Sequence, residues 1–112
     1  MMTEIPYKEW VEALRSGDYK QTKGTLKGEL PEGGVGYCCL GVLAEIMGYE
    51  VKVEPYVENG EGIVYEREGP DHIYEEFACD MGEVLVRELI NHNDYGMSFK
   101  KIANIIIEKE KM

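Results

Sequence analysis

The stretch Cys38-Cys39-Leu40-Gly41-Val42-Leu43-Ala44-Glu45-Ile46-Met47 carries one charge in ten residues, and its reading decides the fold. A segment that is apolar on nearly every side belongs inside a protein. Ten residues containing Leu, Ala, Glu and Met favour helix over strand, and Gly48 stands where such a helix would stop. Residues 38–47 are therefore predicted to form a buried central helix, and the rest of the chain has to be arranged around it.

Upstream, Tyr7, Trp10, Val11 and Leu14 recur at i, i+3, i+4 and i+7 behind Pro6, with Gly17 following. That pattern predicts an amphipathic helix opened by proline and closed by glycine. Residues 18–27 alternate weakly and predict a short strand. Residues 28–36 hold Pro31, Gly33 and Gly34 and predict a loop or a long hairpin turn.

Downstream, Tyr49, Val51, Val53 and Val57 alternate with Glu50, Lys52 and Glu54, as in a half-buried strand that Pro55 pushes to a sheet edge or breaks there. Asn59-Gly60 and Gly62 predict a turn, with Ile63, Val64 and Tyr65 returning as the hairpin partner. Gly69-Pro70-Asp71 then punctuates. Tyr74, Phe77, Ala78, Met81, Val84 and Leu85 follow at helical spacing, so helix is expected over most of 72–91, interrupted near Gly82. Residues 91–96 read as a turn-rich loop. Ser98 caps a last helix with Phe99, Ile102, Ala103 and Ile106 inward and Lys109 and Lys111 at its negative end. The expected architecture is α+β, one domain over residues 1–112. About four helices surround a buried central helix, with one or two short antiparallel β-hairpins.

No apolar run approaches the ~20 residues that span a bilayer, and the first residues lack the basic and apolar stretches of a signal peptide. A cytoplasmic protein that does not engage membranes is expected. Three cysteines, two of them adjacent, do not make a disulfide framework and suit a reducing compartment. No C-x-x-C pair exists, and His72 and His92 lie far apart, so neither a metal site nor a cofactor is implied. The net charge is −10, and residues 31–97 alone carry fifteen acidic and three basic side chains. Duplex nucleic acid is a poor partner for such a surface, because Lys and Arg supply most of that affinity. A basic protein partner fits, as does a small ligand held at a local exception.

Four segments together resemble a known family. They are Trp10-x-x-Ala13-Leu14-x-Ser16-Gly17, Gln21-x-x-Gly24-x-Leu26, Tyr37-Cys38-Cys39-Leu40-Gly41-Val42-Leu43, and Asn93-Asp94-x-Gly96-x-Ser98-Phe99 with Ile102 and Ala103 behind. Their order is similar to that in small uncharacterised proteins of bacteriophages and prophages. The resemblance covers roughly residues 1–48 and 89–108. It leaves the hairpin at 49–68 and the acidic helix unassigned. It implies an origin, that of a phage accessory protein in the cytoplasm of an infected bacterium, and carries no known reaction. Such proteins often act against host defence, some by sequestering nucleotide immune signals, which is an argument from setting alone.

Several residues could carry chemistry. Cys39, near a helix start, could be a nucleophile with Gln21 as an oxyanion donor, but that needs a histidine base, and buried cysteines are commonly packing residues. Lys20, Lys23 and Lys27 form the basic cluster of the first half. Beside the start of the central helix they could hold a phosphate, with Trp10, Tyr19 or Tyr37 stacking on a base. The plain alternative is a lysine-bearing edge strand. Asn93, Asp94 and Ser98 could read a ribose or a base edge, or could simply make a turn and a helix cap. The acidic run from Glu66 through Glu83 could face a basic host protein or be a solvated surface. The ligand-binding set is thus Trp10, Tyr19, Lys20, Gln21, Lys23, Tyr37, Cys39, Asn93, Asp94 and Ser98. The leading expectation is a non-enzymatic protein, homo-oligomeric, that sequesters a small nucleotide-like ligand. An acidic inhibitor docking on a host defence or DNA-binding protein is the alternative, and a cysteine-dependent enzyme comes third.

Overall fold

The computed structural model describes residues 5–23, 25–59, 62–65 and 71–110. Helix α1 (Tyr7–Ser16) buries Trp10, Val11 and Leu14 on one face, as their spacing requires. Pro6 is its N-cap and not its first helical residue. Gly17 closes it at φ 81°, a left-handed conformation that suits glycine.

Three short strands follow: β1 (Lys20–Gln21), β2 (Lys27–Glu29) and β3 (Val35–Tyr37). Their order is β1-β3-β2, with β1 parallel and β2 antiparallel to β3. The single strand expected over 18–27 is therefore two pieces. Because β1 and β2 flank β3 on opposite sides, the chain between Gln21 and Lys27 has to cross from one edge to the other. Of the two readings for 28–36, loop or long hairpin turn, the second holds: the turn closes with Leu30 N–H donating to the Gly34 carbonyl (3.0 Å) and Gly33 N–H to the Leu30 carbonyl (2.9 Å). Gly33 and Gly34, at φ 98° and 84°, make that reversal possible.

Helix α2 (Cys39–Ile46) is the central rod, with Cys39 through Ala44 all buried. The chain leaving it alternates in burial as its sequence suggests, Tyr49, Val51 and Val53 half-buried and Glu50 and Lys52 exposed. Yet residues 49–53 join no ladder. Pairing is confined to Glu54, a single parallel bridge to Gly28 with Pro55 directly after it. Strand β4 (Tyr56–Asn59) then pairs antiparallel with β5 (Gly62–Tyr65) in the register Asn59↔Gly62, the predicted hairpin.

Helices α3 (Asp71–Met81) and α4 (Glu83–Asp94) are separated at Gly82, φ 94°, where the interruption was expected. The break resets the helical phase. Ile73 and Phe77 face the core in α3, but Val86, Leu89 and Asn93 do so in α4, which leaves Val84, expected inward, 82% exposed. The expected loop over 91–96 is likewise shorter: α4 continues to Asp94, so Asn93 and Asp94 are helical. Ser98 caps α5 (Phe99–Glu110), its hydroxyl accepting from Lys101 N–H (3.4 Å), and Phe99, Ile102, Ala103 and Ile106 are buried.

Helix α1 packs against α5 and α2, and α4 packs against α2, α3 and α5. The result is an α+β arrangement of helices around α2 with the small sheet at its leading end. No helix among the described residues is long and apolar enough to cross a membrane. Gly24, Gly60, Glu66, Glu68, Gly69, Pro70 and Lys111, and the side chains of Val57, Ile63, Val64, Tyr65, His72 and Tyr74, lie outside the described residues.

Candidate functional site

The motif residues meet at the leading end of α2. The first N–H groups of a helix have no partner within it and must find one elsewhere. Here the Cys38 side chain accepts from Gly41 N–H (3.3 Å), while Cys39 N–H donates to Oδ1 of Asn93 (3.2 Å). The same Asn93 oxygen accepts from the Gln21 amide (2.9 Å), which also donates to the Met97 carbonyl (2.7 Å). Asn93 Nδ2 donates to the Thr22 carbonyl (2.8 Å), and Trp10 Nε1 donates to the Cys39 carbonyl (2.8 Å). One buried amide thus ties α4 to the start of α2 and to the loop after β1.

Two glycines let the surrounding pieces approach. A Cβ on Gly41 would lie 1.8 Å from the Leu26 carbonyl oxygen, and one on Gly36 would lie 2.8 Å from Leu30 Cδ2. The Leu26 carbonyl in turn accepts from Cys38 N–H (3.2 Å). Leu26, Gly41 and the cysteines of the sequence motifs are therefore neighbours in space, in contact through main chain that only glycine permits.

This arrangement corrects the expectation for four of the ten site residues. Trp10, Cys39 and Asn93 have no exposed surface, and Gln21 is half-buried with its amide committed twice. Trp10 is enclosed between α1 and α2 and presents no face to a base. The helix start expected to receive a phosphate is occupied by Asn93. The sulfur of Cys39 donates to the Leu89 carbonyl (3.6 Å), and burial raises its pKa well above the usual thiol range, with Cys38 beside it adding to the effect. Burial pushes Cys38 up to about 12. Both are held as neutral thiols, the unreactive form. Iodoacetamide on the folded protein at pH 8 is therefore expected to add one group, at the exposed Cys79, and three only after denaturation, read by intact mass. A second adduct on folded protein would show that α2 lies open.

Residues 1–60 match the domain of unknown function DUF8296, slightly more than half of the chain. The chain belongs to this family. No curated protein and no solved structure matches it. Within the DUF8296 segment lie Trp10, Gln21, Thr22, Leu26, the two adjacent cysteines and Gly41, while Asn93 and Met97, which complete the network, come from outside it.

The remaining site residues lie on the surface of the DUF8296 segment and of the α4–α5 turn. Tyr19 and Tyr37 are half-buried and meet edge to face, ring centroids 5.1 Å apart. Lys27 Nζ stands 5.6 Å from the Tyr37 ring centre and 3.4 Å from Glu45 of α2. The same lysine borders an open groove of about 480 Å³ that Glu45, Tyr49, Glu50, Val51 and Lys52 complete. Lys20 is exposed on β1, its ammonium near Gly34. Lys23 lies instead against Gly96, near the exposed Asp94 and Ser98. Nine of the ten residues therefore divide into an internal network, the Tyr19–Tyr37 pair beside Lys27, and a third group at the α4–α5 turn, while Lys20 stands apart on the opposite face of the sheet. Among the described residues no three His, Cys, Asp or Glu side chains gather as metal ligands. Thr22 and Glu54, both buried polar residues, were not singled out from the sequence. Glu54 sits in a polar position of an alternating run, which gives no hint of burial.

Proposed function

We propose that this DUF8296 chain is a non-catalytic binding protein that captures a small nucleotide-like ligand on the face formed by Tyr19, Tyr37 and Lys27 and the groove beside it. The observation that carries this reading is the meeting of two half-buried rings and a lysine at the rim of that groove. Aromatic faces take a base by stacking, and a lysine supplies charge to a phosphate. The Lys27–Glu45 pair is partly exposed, and such pairs are worth about 0–1 kcal/mol, so a phosphate can replace Glu45 at little cost. The motif resemblance to phage proteins supports a role in the infected bacterial cytoplasm, as an accessory protein that removes a nucleotide immune signal from circulation. Sequestration needs affinity alone: nanomolar binding corresponds to about −12 kcal/mol. A homo-oligomer would help, since a second copy can close an open groove.

The test is to incubate the protein with cyclic dinucleotides, cyclic ADP-ribose isomers and ATP, filter, denature by heat, and analyse what is released. Intact ligand released only on denaturation is the expected result, with Lys27→Ala and Tyr37→Ala each weakening binding about tenfold or more. Altered ligand would indicate an enzyme. No ligand across the panel would sink this reading in favour of the acidic inhibitor. For that alternative the specific observation is the exposed row Glu75, Glu76 and Asp80 on α3, which holds no Lys or Arg.

A further inference from the structure

Among the described residues one buried side-chain nitrogen or oxygen has no hydrogen-bond partner: Oε2 of Glu54, a residue 7% exposed. The main chain holds Glu54 in place. Its N–H donates to the Lys27 carbonyl (3.1 Å), and its carbonyl accepts from Glu29 N–H (2.9 Å), with Gly28 its bridge partner. Residues paired across a sheet leave it on the same face, and successive residues leave on opposite faces. Glu54 therefore leaves on the face of Gly28, and Lys27 with Tyr37 on the other, so Glu54 and the Tyr37–Lys27 pair lie on opposite sides of the sheet.

The row across the sheet from Glu54 runs through Gly28 and Gly36 to Lys20. The two glycines have no side chain to offer, and Lys20 is three strand spacings away, about 14 Å. Nothing along this row neutralises the carboxylate. A buried carboxylate oxygen left without a donor is unfavourable, and in a native fold it calls for a partner from outside the chain, a water, an ion or a ligand. A carboxylate only accepts, so the missing group must donate. The fifteen acidic residues of the middle of the chain favour a cation, and the planar fork of a guanidinium matches a carboxylate better than a point-charge ammonium does.

We propose that Glu54 anchors a second binding site that takes a guanidinium group, carried by a free small molecule or by an arginine side chain of a partner protein. The test is a ¹⁵N–¹H titration of the full chain with agmatine and, separately, with a blocked Gly-Arg-Gly peptide, on wild type and Glu54→Gln. Saturable shifts at the amides of Gly28, Glu29 and Glu54 are expected, at least tenfold weaker in Glu54→Gln. Tighter binding of the peptide assigns a protein partner, and tighter binding of agmatine a free ligand. Without ligand, Glu54→Gln, which keeps the shape and removes the charge, is expected to melt at or above the wild-type temperature. A lower Tm would mean that the carboxylate is already paired. That result, or no saturable shift with either probe, overturns the site.

Discussion

Gly41→Ala is expected to destabilise the protein by about 3–5 kcal/mol, a large part of the roughly 5–15 kcal/mol that holds a domain together. The added Cβ would sit 1.8 Å from the Leu26 carbonyl oxygen and 2.8 Å from its carbonyl carbon. These are main-chain atoms, so no rotamer change relieves the clash. The same oxygen accepts from Cys38 N–H, and Leu26 is 3% exposed, so moving residue 26 away from α2 breaks a buried hydrogen bond and opens the core together. At this chain length about 1 kcal/mol moves Tm by roughly 4 °C, so a fall of roughly 12 °C or more is expected in a thermal melt. A variant within about 1 kcal/mol of wild type would show that the stretch before β2 does not touch α2 as described.

Asn93→Leu is expected to cost a similar amount, about 3–5 kcal/mol, although leucine has the same branched heavy-atom outline as asparagine and suits a helix. The loss comes from what is left behind. Cys39 N–H at the start of α2 and the Thr22 carbonyl lose their side-chain partner, and the Gln21 amide loses one of two. A buried polar group left unpaired costs about 1–3 kcal/mol, and water cannot reach a position with no exposed surface. Gln21→Ala alone should cost about 1–2 kcal/mol, since its amide donates to both Asn93 and Met97, and less in the Asn93→Leu background, where one acceptor is already gone. Urea denaturation of the two single variants and the double variant reads this directly. Additive losses would show that the two side chains do not share one network.

These two results would place the sequence motifs in the fold's interior, which changes what the motifs mean. Trp10, Gln21, Leu26, the adjacent cysteines, Gly41 and Asn93 look like a ligand set when read as chemistry-bearing residues in a row. In space their donors and acceptors are directed at one another. The aromatic–lysine face uses Tyr19, Tyr37 and Lys27, of which only Tyr37 belongs to those motifs.

The buried helix at 39–46, the amphipathic helices on either side of the chain, the break at Gly82 and the second hairpin were all legible from local pattern. Apolar periodicity and the backbone freedom of glycine act over a few residues, and these features depend on little else. Tertiary structure alone decided which side of each element met what. It divided the strand expected over 18–27, because its two ends had to flank β3, and it turned Val84 outward by resetting the helical phase after Gly82. It also buried Asn93 as the cap of a helix more than fifty residues earlier, and it enclosed Glu54 with one oxygen unpartnered. Hydrogen bonds between distant segments leave no period in a sequence, so an asparagine that binds a ligand and one that closes a helix are spelled the same way until the chain is folded.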